Sequence, residues 1–145
     1  MRPSWRGGVL VLLGLLGACT PFRPAPHHPL ERLLLDEHYE DVLAATTPTR
    51  LREINQYGPM VAYDIAQVMV HGRAAPPLLC AEVLKDYPHT IATTMEACRQ
   101  LQKKLAGIAV TDAELLAMDE VARRHFPRLR YLVTAMTRVR AAPLK

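Results

Sequence analysis

The sequence predicts an all-α fold: a small bundle of about six helices with one intramolecular disulfide, behind a proline-rich tether. Three observations carry this reading. After Pro29 the apolar residues recur at spacings of three and four and almost nowhere alternate as they would in a strand. Prolines, a Thr-Pro pair and a Thr-x-x-Glu box punctuate these stretches where helices start and stop. The chain has 145 residues, 50% of them hydrophobic and 22% charged. That suits one domain of roughly 100–200 residues and excludes wholesale disorder. A net charge of +4 is too weak, without a focused patch, to imply nucleic acid.

The chain opens on an address. Arg2 and Arg6 form a short positive region, Val9 to Leu16 a continuous apolar run, and Gly17 and Ala18 a small-residue end. This is the three-part layout of a secretory signal over residues 1–18. The run is shorter than the ~20 residues needed to span a bilayer, and no later run reaches that length. Leu16-Gly17-Ala18-Cys19 resembles the lipobox of bacterial lipoproteins. The resemblance implies cleavage before Cys19, a diacylglyceryl thioether on its sulfur and a further acyl chain on the new amino group. Two or three chains anchor stably where one is marginal, since each buried methylene contributes about 0.8 kcal/mol. The alternative is an ordinary cleaved signal with an incidental cysteine. In lipoproteins of Gram-negative type an Asp after the modified cysteine often favours inner-membrane retention. Thr20 stands there instead, so the resemblance points to the outer membrane, facing the periplasm.

Residues 19–29 form the tether. Pro21, Pro24, Pro26 and Pro29 favour an extended polyproline-like spacer, at about 3.1 Å per residue. His27 and His28 are adjacent in it and read as inert rather than as metal ligands.

The domain spans residues 30–145. Leu30, Leu33, Leu34, Tyr39, Val42 and Leu43 put one apolar stripe on a first helix ending near Ala45. Thr47-Pro48 supplies a cap followed by proline at the first helical position. Leu51, Ile54, Gly58, Val61, Ile65 and Val68 continue as a packing seam, which Gly58-Pro59 must interrupt or kink. Met60 to Val70 is apolar almost all round and marks the central buried helix. Its polar stripe of Asp64, Gln67 and His71 reads as a solvent-facing strip in preference to a small polar site. Leu79, Cys80, Val83, Leu84 and Tyr87 mark a short helix after Pro76-Pro77, and Asp86-Tyr87-Pro88 a turn. Ile91, Met95, Cys98, Leu101 and Leu105 face the core on a helix reaching Ala106, with Gly107 placed to cap it. Thr111 and Glu114 fit a capping box ahead of Leu115, Met118, Val121 and Ala122. Pro127 breaks that helix or starts the last, whose stripe is Leu129, Leu132, Val133, Met136 and Val139.

Cys80 and Cys98 fall at similar distances on either side of the 86–88 turn, so an antiparallel hairpin sets them nearly level. In an exported chain they are expected to form a disulfide, worth roughly 3 kcal/mol in the loop-entropy picture. The alternative is a pair of buried thiols. No C-x-x-C redox or metal spacing is present. The only serine is Ser4, inside the signal, so the mature chain has no serine nucleophile. His38, His71, His89 and His125 make no metal-type pairing, and no glycine-rich phosphate loop exists. Glu37, Glu40 and Asp41 beside His38 read as a solvated helix face. No cofactor, metal or small-molecule substrate is expected, and a catalytic residue is not evident.

Charge placement gives the functional hint. Residues 20–98 hold six basic and ten acidic residues, whereas residues 99–145 hold ten basic and four acidic. From Val121 onward Arg123, Arg124, Arg128, Arg130, Arg138, Arg140 and Lys145 meet no acid in the sequence. Arg123, Arg124, Arg128, Arg130 and Arg138 are the candidate interaction face, suited to an acidic partner or anionic lipid. The plainer alternative is a core helix with an arginine-rich outer side. The expected function is that of a non-catalytic envelope lipoprotein, held in the membrane by its lipid and binding an envelope protein. It would act as an assembly or chaperone factor for a secretion or conjugation apparatus. Pilotin-type lipoproteins have a similar organisation, an analogy at the level of fold only. An inhibitor, immunity or exclusion-type lipoprotein is the alternative, ahead of a cell-envelope enzyme. Nucleic acid is a poor partner in that compartment.

Overall fold

The computed structural model describes residues 28–86 and 90–145. Among the described residues every regular element is helical, with eight α-helices where about six were expected. They are α1 (Pro29–Leu35), α2 (Tyr39–Ala45), α3 (Pro48–Ile54), α4 (Tyr57–His71), α5 (Cys80–Lys85), α6 (Ala92–Leu105), α7 (Asp112–His125) and α8 (Arg130–Ala141). Single 3-10 turns stand at Gly72–Ala74 and Pro127–Leu129.

Both extra helices arise from left-handed residues that are not glycine. The expected first helix, continuous to Ala45, is broken at Glu37, whose φ is 60°. Its N–H bonds the Leu34 carbonyl and the N–H of His38 reaches that of Leu33, at 3.1 and 2.9 Å. That is a Schellman closure of α1 with glutamate where glycine is usual. The second break falls at Asn55 (φ 54°) instead of Gly58-Pro59. Asparagine tolerates this conformation better than most side chains do. Pro59 then occupies the first turn of α4, where a missing N–H removes no helical bond.

Elsewhere the local signals hold. The Thr47 hydroxyl accepts the N–H of Arg50 at 3.2 Å and caps α3. Gly107, with φ 73°, closes α6 through bonds from Gly107 and Ile108 to the carbonyls of Lys104 and Lys103. Thr111 and Glu114 form the reciprocal capping box of α7, with bonds of 3.2 and 2.7 Å. Pro127 starts the 3-10 turn that leads into α8. Of the 86–88 turn, Tyr87 and Pro88 lie outside the described residues, as does His89.

Helix α4 is the axis of the bundle. It packs against α1, α2, α3, α5, α6 and α8, and every residue from Pro59 to Val68 is buried. Leu101, Leu132 and Met136 complete the core from α6 and α8. Because α7 packs mainly on α6 and α8, it forms the outer wall. Its buried side is Leu115, Met118 and Ala122, while Val121 is only half-buried.

The polar stripe of α4 is not a solvent-facing strip. Asp64 is 1% exposed and Gln67 is also buried, leaving only His71 outside. Burial on α4 is dictated by neighbours on every side, so spacing on one helix could not assign this face.

Candidate functional site

Cys19 and the signal lie outside the described residues. Cys80 and Cys98 are joined in a disulfide that ties α5 to α6, with the Cα atoms 5.2 Å apart. Asp64 fixes the start of α5. Its carboxylate accepts the backbone N–H groups of Leu79 at 2.9 Å and Cys80 at 2.6 Å. Burial pushes this carboxyl up to about 7, against the two N–H groups that favour the anion, and the nearby Glu82 raises it further. Asp64 therefore holds α5 from the central helix, on the same residue that the disulfide holds from α6.

The five candidate arginines divide into two kinds. Arg124 pairs with Glu120 one turn earlier on α7. Arg130 pairs with Asp119 at 3.0 Å. Arg138 is half-buried, donates to the Leu35 carbonyl at 2.7 Å and lies 3.4 Å from the Glu37 carboxylate. Arg138 thereby caps the carbonyl end of α1 and neutralises the residue that breaks the helix. Arg140, beyond the candidate set, pairs with Asp112. Arg123 and Arg128 are exposed and have no acidic partner among the described residues. The acids missing from the C-terminal sequence are thus supplied mostly by α7, with Glu37 arriving from the far end of the chain.

Arg128 stands on the rim of a surface groove of about 700 Å³. Tyr57, Ile91, Phe126 and Leu129 give the groove apolar walls, and His28 and His125 sit on its edge. Glu31 in the groove is engaged: its carboxylate accepts the His28 N–H at 3.2 Å and hydrogen-bonds Tyr131. Burial and this carboxylate push the Tyr131 hydroxyl up. His28 accepts the Leu30 N–H at 3.2 Å through Nδ1, so the second tether histidine belongs to the cap of α1. His27 lies outside the described residues.

At the opposite end of α7, Leu116 is 70% exposed and Ile108, in the loop ahead of the helix, 55%. No group of three or more His, Cys, Asp or Glu arranged to hold a metal ion occurs among the described residues. No described helix is long and apolar enough to cross a membrane.

Sequence reasoning missed the roles of Asp64 and Arg138. A signal for Asp64 existed, since it is the sole charge inside the apolar run Met60–Val70. None existed for Arg138, whose partners lie about a hundred residues away. No known protein family, curated protein or solved structure matches this chain.

Proposed function

We propose that this chain is a lipid-anchored envelope protein that acts without catalysis, as a protein-binding assembly or chaperone factor of pilotin type for a secretion or conjugation apparatus. The observation that carries the anchor is the cysteine economy. The chain has three cysteines, two of them bridged to each other, and the third closes a lipobox ahead of a proline-rich tether. The disulfide suits an oxidising compartment such as the periplasm. Support for a protein partner comes from Leu116 and Ile108, large apolar side chains exposed at the end of α7 remote from His28.

Two experiments test the two halves of the proposal. Cys19→Ala should leave unprocessed precursor and abolish labelling with a fatty-acid probe, while the wild type fractionates with the outer membrane. Undiminished labelling in the variant would sink the anchor. A photo-crosslinking residue at position 116 should give one discrete adduct in intact cells, and one at position 50 should not. Absence of any adduct specific to position 116 would remove the partner-binding half.

A further inference from the structure

The end of the bundle from which the chain runs toward Cys19 is rich in basic side chains. His28, the first described residue, shares a groove wall with His125, Phe126, Pro127, Arg128 and Leu129. The tether therefore joins the domain where α7 ends and α8 begins. The last turn of α7 carries Arg123, Arg124 and His125, the 3-10 turn carries Arg128, and α8 opens with Arg130. Asp119 and Glu120 balance Arg130 and Arg124. Arg123 and Arg128 remain exposed without a carboxylate partner among the described residues, beside half-buried Phe126 and Leu129. The one carboxylate in the groove, Glu31, is already held by the His28 N–H and Tyr131.

Distance limits where this edge can be. Eight residues separate Cys19 from His28, and a fully extended chain covers only ~3.3–3.6 Å per residue, or roughly 30 Å in all. If Cys19 carries the acyl chains, the basic edge cannot leave the neighbourhood of the headgroups. We infer that the edge from Arg123 to Arg130 docks on anionic phospholipid headgroups of the leaflet that holds the protein's own lipid. The inference rests on the proposed anchor and adds to it an electrostatic contact of the domain with the anionic surface around that anchor. It also orients the domain, with the basic edge toward the bilayer and Leu116 and Ile108 away from it. An acidic protein would satisfy the same charges. Lipid is the occupant favoured here because Arg128, without an acidic partner among the described residues, lines the same groove as His28, where the tether joins.

The test uses the full mature protein, purified with its lipid and mixed with vesicles of phosphatidylcholine alone or with added phosphatidylglycerol. Flotation reads attachment, and hydrogen exchange of the amides over residues 123–130 reads docking. Attachment to both vesicles is expected, with exchange slowed only on the anionic ones. The slowing should be about fivefold for each arginine engaged, which is what one such charge contributes at an anionic surface. High salt and Arg128→Glu should both reverse it. Arg128 lies outside the α-helices and is unpaired, so this variant should still fold, which unchanged exchange over residues 60–68 would verify. Flotation with both vesicles but equal exchange would overturn the docking and leave the anchor standing. Flotation with anionic vesicles alone, lost in salt, would support the docking and overturn the anchor. Flotation with neither would overturn both. Protection of residues 123–130 in native envelopes but never in protein-free vesicles would replace lipid with an acidic protein and so overturn the inference.

Discussion

Asp64 and Arg138 each hold together parts of the chain that the sequence keeps apart, and both can be tested alone. An ordinary aspartate titrates near 3.9, whereas burial raises Asp64 to about 7. Between those values the native state holds a proton that the unfolded chain has released, so stability falls as pH rises through that window. The contribution is full below about pH 4 and is lost above about 7, with a slope of at most about 1.4 kcal/mol per pH unit. Glu82 and Glu114 are shifted the other way, by hydrogen bonds from Arg52 and Lys103. Their contributions are present above the usual glutamate range and vanish below it, so they leave pH 5–8 to Asp64. Thermal melting should therefore give a higher Tm at pH 5 than at pH 8, and Asp64→Asn should flatten that difference. An unchanged pH profile in the variant would show that the two N–H groups outweigh burial. Arg138→Ala should destabilise by about 1.5–3 kcal/mol, because it removes charge-assisted bonds to the end of α1. Urea unfolding reads this directly, and Lys at 138 should restore only part of it, lacking the planar fork of donors. Arg138 was expected on the interaction face; a change there reads out folding first.

At the scale of elements, the division between what the sequence announced and what it withheld follows the range of the forces. Thr47, Gly107 and the Thr111–Glu114 box were readable because a cap is settled within four residues. The core stripe of α8 was readable because the helical repeat puts Leu132, Met136 and Val139 on one side. The breaks at Glu37 and Asn55 were not, because their left-handed conformations carry no glycine to mark them. At Glu37 the compensating ion pair comes from Arg138, across the fold. The disulfide lay between these cases: spacing suggested that Cys80 and Cys98 would be level, but their packing decided it. Thr111→Ala should cost about 1 kcal/mol through loss of the cap. Replacing both Cys80 and Cys98 by Ala should cost roughly 3 kcal/mol, from the freed unfolded chain. In calorimetry the second variant should melt several degrees below the first. Equal melting of the two would mean that the bridge adds no more than a helix cap does.

Over the whole molecule, the uneven charge of the sequence becomes a pattern of clasps that leaves some basic side chains uncompensated. Arg52–Glu82, Lys103–Glu114 and Arg130–Asp119 each join two helices, and Arg138–Glu37 joins α8 to the turn after α1. Exposed pairs of this kind contribute only ~0–1 kcal/mol each, so their value lies more in register than in stability. Of the candidate arginines, Arg123 and Arg128 have no acidic partner among the described residues, and the sequence showed them only as part of a longer basic run. The fold was needed to separate them from the arginines that serve the bundle. The same separation applies to the cysteines, and there it gives a count that tests the whole architecture. Cys80 and Cys98 satisfy each other, so Cys19 has no partner within the described domain. In a protein with an acylated Cys19, natively purified and then denatured without reductant, no thiol should react with maleimide. After reduction two should react. One reactive thiol before reduction would mean that Cys19 is free and the lipid anchor is wrong. Two before reduction would mean that the bridge between α5 and α6 does not form in the cell. A reduction-sensitive dimer with no free thiol would mean that Cys19 joins two copies of the chain instead of a lipid.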